Sequence, residues 1–217
     1  MNGELVVFDL DGVLIDSREA NCEAFRYGLE QIGLPAPGDG QVEDLIGLPA
    51  VEMLERLGCP QDRCEAVYID LVAPFYVEHL PRLARPVSEA ARVLEGLRDQ
   101  GLRIGACTSG DLALQEAALR AVGLREYIQE IQTPCGSEFR KPDPRYLGEL
   151  VDRFGPASRV YHVEDTGHGL EMGRRYGAVT IFAAYGYGSP GPQLPDYVLQ
   201  RLVDLPGVLE RDRLRSS

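Results

Sequence analysis

The chain has 217 residues, 44% of them hydrophobic and 26% charged. That is the composition of an ordinary globular protein, longer than one typical domain and shorter than two full-sized ones. It carries 34 acidic against 22 basic residues, a formal net charge of −12, which argues against nucleic acid or anionic membrane as a partner, since both demand clustered positive charge. All but one of the basic residues are arginine; Lys141 is the only lysine.

Leu5-Val6-Val7-Phe8 is a short apolar run ending in Asp9-Leu10-Asp11-Gly12. It is expected as a buried strand that delivers carboxylates to its C-terminal end. Ser17 is expected to cap a helix running to Gly33, with Ala20, Ala24, Tyr27 and Leu29 near helical spacing. After the Pro/Gly-rich loop Pro35–Gly40, helical patterns lie around 42–46, 49–57 and 62–79, and no strand is expected between 15 and 85. Past Pro86 the texture alternates. A helix over Ser88–Gln100 leads to a strand over Leu102–Cys107 and a helix over Leu112–Val122. A weaker strand near Ile128–Gln132 and a helix over Pro144–Phe154 follow, then a strand over Val160–Val163, a short helix after Gly169 and a strand over Ala178–Phe182.

Strands alternating with helices predict an α/β fold, a doubly wound, Rossmann-like parallel sheet. The all-helical stretch is then an insertion after the first strand. Residues 1–14 and 86–217 form the expected core domain and residues 15–85 a helical cap. The cap is also the more acidic part, net −7 against −5 for the remainder. The five cysteines are odd in number and form no CxxC pair, as expected of reduced thiols. Met1-Asn2-Gly3-Glu4 has no basic leader character, and no apolar run approaches the roughly 20 residues of a membrane span. A cytoplasmic protein, monomer or homodimer, is expected.

In open α/β sheets the site lies outside the carboxyl ends of the strands, and four candidates fall there. Asp9 and Asp11, two apart in extended chain, would leave the same face; either a cation sits between them or one holds a proton, unless the pair only caps a turn. Thr108-Ser109-Gly110 offers hydroxyls and N–H groups before a helix, suited to an anion or to a plain helix cap. Lys141 stands between Arg140 and Pro142 in a loop fixed by two prolines. A lone ammonium in an arginine chain suggests that a compact point charge is needed there. Glu164-Asp165 ends another strand, and with the first pair would make a hard oxygen cage suited to Mg²⁺. His162 and His168 flank that pair, but carboxylates favour Mg²⁺ over a histidine-bound metal. His79 shows no partner in the sequence.

In this order and spacing the residues closely resemble the haloacid dehalogenase-like phosphohydrolase superfamily. Phe8-Asp9-Leu10-Asp11-Gly12-Val13-Leu14 is the most specific motif; Thr108, Lys141 and Glu164-Asp165 look like the second, third and fourth. The Glu-Asp-Thr-x-x-Gly form, with Gly169 where many members carry another Asp, is similar to the branch of β-phosphoglucomutases and phosphoglycolate phosphatase-like enzymes. Tyr185-Gly186-Tyr187-Gly188-Ser189 looks like the tail of the latter. The resemblance implies a phosphatase acting on a small phosphorylated metabolite, with Asp9 as nucleophile and Asp11 as acid and base. It implies Mg²⁺ on the Asp9 and Asp165 carboxylates and the Asp11 carbonyl, with Glu164 direct or through water. Thr108, Ser109 and Lys141 would hold the phosphate. Gly47 and Leu48 fall where related enzymes bring cap residues over the site. No base stands in that loop, whereas the mutases carry one near here. Arg18, Arg82 and Arg85 lie near hinges expected at Leu14–Asp16 and Arg82–Val87, where they would meet an anionic tail or simply be solvated. A mutase or pyrophosphatase on the same core is the alternative within the enzymes; outside them stand a phospho-receiver and an inactive binding module.

Overall fold

The computed structural model describes residues 3–216. Six parallel strands form the central sheet: β1 (Leu5–Phe8), β4 (Arg103–Cys107), β5 (Glu130–Gln132), β6 (Val160–Glu164), β7 (Val179–Ala183) and β8 (Tyr197–Leu199). Their order is β5-β4-β1-β6-β7-β8, so β1 is central and the two halves wind outward from it. Every residue of β1 is fully buried, because successive side chains enter cores on opposite faces. Leu5 and Val7 pack with α8 (Pro144–Phe154) and α9 (Gly167–Tyr176) through Tyr146, Leu147 and Met172. Val6 and Phe8 pack with α6 (Ala90–Asp99), α7 (Leu112–Ala121) and α10 (Leu205–Ser216) through Leu94, Leu97, Leu119 and Val208. An unbroken apolar run is what such a strand requires, and it made β1 readable in advance.

Between β1 and α6 the chain is helical: α1 (Arg18–Gln31), α2 (Asp39–Glu43), α3 (Ala50–Arg56), α4 (Gln61–Val67), a π-helical turn over Tyr68–Val72, and α5 (Ala73–Leu83). The segment enters and leaves through β2 (Ile15–Asp16) and β3 (Arg85–Pro86), an antiparallel pair in which Ile15 faces Pro86 and Asp16 faces Arg85. This corrects the expectation of no strand over 15–85. The pair is too short to show a periodicity, and Pro86 cannot donate to a ladder. β8 and α10 were not anticipated either, and α9 starts at Gly167, ahead of Gly169, and runs for ten residues. No helix among the described residues is long and apolar enough to cross a membrane.

Candidate active site

At the C-terminal end of β1 the backbone N–H of Asp9 donates to Val163 O at 2.9 Å, which ties the first carboxylate to β6. The chain then turns, since Val13, Leu14 and Ile15 all direct their N–H groups to Leu10 O or its neighbourhood. Asp11 therefore does not continue the strand, as the extended-chain reading expected; both side chains nevertheless line one cavity. Gly12 closes the turn at φ +82°, where a side chain would be strained. A Cβ there would also strike the carboxylate of Asp165.

Asp11 is held from two sides. Ser17 Oγ donates to its Oδ1, and Gln115 Nε2 donates to its Oδ2 at 2.8 Å. Burial of the carboxyl raises its pKa; the two hydrogen bonds oppose that rise and the Asp9 charge adds to it. Ser17 stands at the N-cap position of α1 but makes no side-chain capping bond. Its hydroxyl serves the site instead, which corrects the capping expectation. Gln115 was not anticipated, although a glutamine on the buried side of α7 beside Ala118 and Leu119 is a signal that the sequence carries.

Lys141 reaches the same place from the loop before α8. Asp143 caps that helix by accepting from Arg145 N at 2.9 Å, with Pro144 as the first helical residue. The ammonium donates to Asp9 Oδ1 at 2.8 Å and to Glu164 Oε1 at 2.7 Å. Burial disfavours its charge, but the Asp9 and Glu164 carboxylates outweigh burial and hold its pKa well above the usual value. Glu164 also accepts from Thr166 Oγ1 at 3.0 Å, and burial, then the Asp9 charge, pushes its pKa up to about 8. A Cβ at Gly169 would overlap Glu164, so glycine there makes room for this carboxylate. Asp165 is raised to about 6 by burial and by Asp9, while Tyr187 N and Gly188 N donate to its Oδ2 at 2.8 and 3.2 Å. The segment Tyr185–Ser189 thus cradles Asp165. Asp9, Glu164 and Asp165 each place an oxygen within 4.8 Å of the others.

Thr108 is buried at the end of β4, its Oγ1 accepting from Gly110 N at 3.1 Å and its carbonyl from Tyr146 Oη at 2.7 Å. Ser109 lines the cavity beside it. Neither caps α7: that cap is Asp111, whose carboxylate accepts from Ala113 N. One N–H of the helix N-terminus is therefore already engaged. Gly47 and Leu48 also line the cavity, and a Cβ at Gly47 would lie 3.2 Å from Thr166 Cγ2, so the helical segment rests against the C-terminal end of the sheet. Arg18 does not line it. Its guanidinium is paired with Asp16 at 2.9 Å and lies 5.0 Å over the Tyr187 ring. His162 is fully buried, and burial, with the Lys141 charge nearby, depresses its pKa to about 3. His168 is exposed, and neither histidine joins the carboxylate cluster. His79 does have a partner, stacking on Phe75 at 4.0 Å.

The family model described as haloacid dehalogenase-like hydrolase matches residues 6–183. The chain is 27% identical to a phosphoglycolate phosphatase of Aquifex aeolicus over 207 residues, covering 95% of this chain and 96% of that one. It is 30% identical to the probable phosphatase IndB of Dickeya dadantii, covering 84% and 81%. Its backbone superposes with a TM-score of 0.87 on the crystal structure of a predicted phosphoglycolate phosphatase from Haemophilus somnus, 21% identical, covering 96% and 99%.

Proposed function

The chain belongs to the haloacid dehalogenase-like hydrolase family and is a phosphatase, and from that premise we propose that it hydrolyses a small phosphate monoester, with Mg²⁺, through an aspartyl-phosphate on Asp9. The observation that carries this reading is the pairing of Asp9 with Lys141 at 2.8 Å beside a second carboxyl, Asp11, whose pKa is raised. A nucleophile and a proton donor line one cavity, and a cation for the phosphoryl oxygens is hydrogen-bonded to the nucleophile.

A magnesium ion fits the residues present. Three buried carboxylates face one another against a single ammonium, an all-oxygen donor set with excess negative charge, the kind that hard divalent cations take. Asp9 and Asp165 would hold it, with Glu164 and the Asp11 carbonyl. When bound, the ion would supply charge that keeps Asp9 ionised and offsets the phosphoryl oxygens.

A carboxylate oxygen of Asp9 attacks phosphorus in line, the P–O bond to the alcohol breaks, and protonated Asp11 gives its proton to the departing oxygen. The Asp11 carboxylate so formed then takes a proton from a water whose oxygen attacks the aspartyl-phosphate, releasing phosphate and free Asp9. Ser17 and Gln115 fix the Asp11 carboxyl for both transfers. Lys141, the Thr108 hydroxyl and Ser109 bind the oxygens on which charge grows in the transition state. Residues 15–85 act as a cap hinged at the β2–β3 pair, excluding water and setting specificity.

Phosphate release from simple monoesters tests the metal requirement. Stripping the protein with EDTA is expected to lower turnover at least about a hundredfold, and added Mg²⁺ to restore it. Turnover untouched by EDTA dialysis refutes the metal assignment.

A further inference from the structure

We propose that the alcohol part of the substrate is uncharged and largely apolar, about the size of one ring; this rests on the phosphatase reading of the same site. The cavity in front of Asp9 measures about 340 Å³, small for a ligand site. Its floor is polar, with Asp9, Asp11, Thr108 and Ser109, and that end suits the phosphate. The remaining wall comes mostly from the helical segment and includes Phe25, Leu48, Val51, Met53, Tyr68 and Tyr76.

No lysine or arginine stands on that wall to receive a second negative charge. Among the described lining residues Arg140 is the only lysine or arginine. Its Nη1 donates to the carbonyls of Ser137 and Phe139 at 2.5 and 2.6 Å, binding it into its own loop. Arg18, Arg82 and Arg85 lie outside the lining. The side-chain amides near the wall are also engaged, Asn21 Nδ2 donating to Ser17 O at 3.0 Å and Gln115 Nε2 to Asp11, which leaves the neutral phenol hydroxyls of Tyr68 and Tyr76 as the wall's polar groups. A carboxylate or second phosphate placed there would lose its water and gain no cation in return. Asp111, on the same lining, adds repulsion. Such a wall excludes charged alcohols as well as welcoming apolar ones, while the three aromatic rings offer faces for an aromatic group.

The consequence sets this chain apart from the activity in its relatives' names, since glycolate would bring a carboxylate to that wall. Benzyl phosphate and 2-phosphoglycolate are both esters of primary alcohols, so comparing them reads the pocket more than the leaving group. With Mg²⁺ present, kcat/KM for benzyl phosphate is expected to exceed that for 2-phosphoglycolate at least about tenfold. The variant Leu48→Arg, which sets a cation on the wall, is expected to move the ratio at least about tenfold toward 2-phosphoglycolate. Equal or greater efficiency on 2-phosphoglycolate in the wild type overturns the proposal and leaves the phosphatase reading intact. A folded Leu48→Arg protein with an unchanged ratio overturns it too, because the alcohol then does not meet this wall. Release of phosphate from neither ester, nor from phenyl phosphate, removes both readings together.

Discussion

Asp9→Asn is expected to leave a folded protein whose phosphate release falls by a factor on the order of 10⁴ or more. An amide oxygen has no charge with which to attack phosphorus, so removing the nucleophile removes the covalent route outright. The side chain keeps its volume, and the Asp9 N–H bond to Val163 O is a backbone contact that the change does not touch. Lys141 retains Glu164 as a partner at 2.7 Å. Melting temperature and circular dichroism therefore stay close to those of the wild type while turnover vanishes. A variant that hydrolyses esters within about tenfold of wild type shows that another group attacks phosphorus.

The second large effect falls on Lys141, and it combines stability with catalysis. Lys141→Met removes the one cation from a site where the partners' side chains are 6% exposed for Asp9 and 0% for Glu164. Breaking a buried pair by deleting one member leaves the other charge without compensation, at a cost of about 3–5 kcal/mol. At neutral pH the Glu164 carboxyl, already raised to about 8, moderates this by holding a proton. A loss of about 3 kcal/mol in urea unfolding of the metal-free protein is expected, together with a fall in kcat of about 10²–10³ from lost charge stabilisation. Lys141→Arg is expected to rescue neither, because a planar guanidinium does not fit where a compact ammonium bridges two carboxylates. Unfolding within about 1 kcal/mol of wild type and kcat within about tenfold of it would show that Lys141 is an ordinary loop lysine.

Most of the sheet was legible because burial leaves a mark on composition. β1 is apolar at every position since both faces are covered, and α8 begins at Pro144 and ends at Phe154 as its pattern predicts. β8 escaped notice because it is a three-residue edge strand whose Val198 is 52% exposed, following a loop with Pro190, Pro192 and Pro195. α10 has Pro206 near its start and a surface crowded with charge. At the site, the residues that bear charge stood out through their positions at strand ends and through a lysine used once. The residues that orient them did not. Ser17 looks like a helix cap and Gln115 like a misplaced polar residue. The role of Tyr187 at Asp165 is carried by its backbone N–H, which no side-chain pattern encodes. Arg18 takes the solvated one of its two expected roles: it is exposed, and Asp16, two residues away, holds its guanidinium.

Two successive in-line displacements, first by Asp9 and then by water, each invert phosphorus. The stereochemical course with a thiophosphate ester, chiral at phosphorus through sulfur and oxygen isotopes and hydrolysed in water of a third oxygen isotope, therefore tests the covalent route without any need to trap it. Net retention of configuration is the predicted result. Inversion would mean that water attacks the ester directly, and that Asp9 is not the nucleophile.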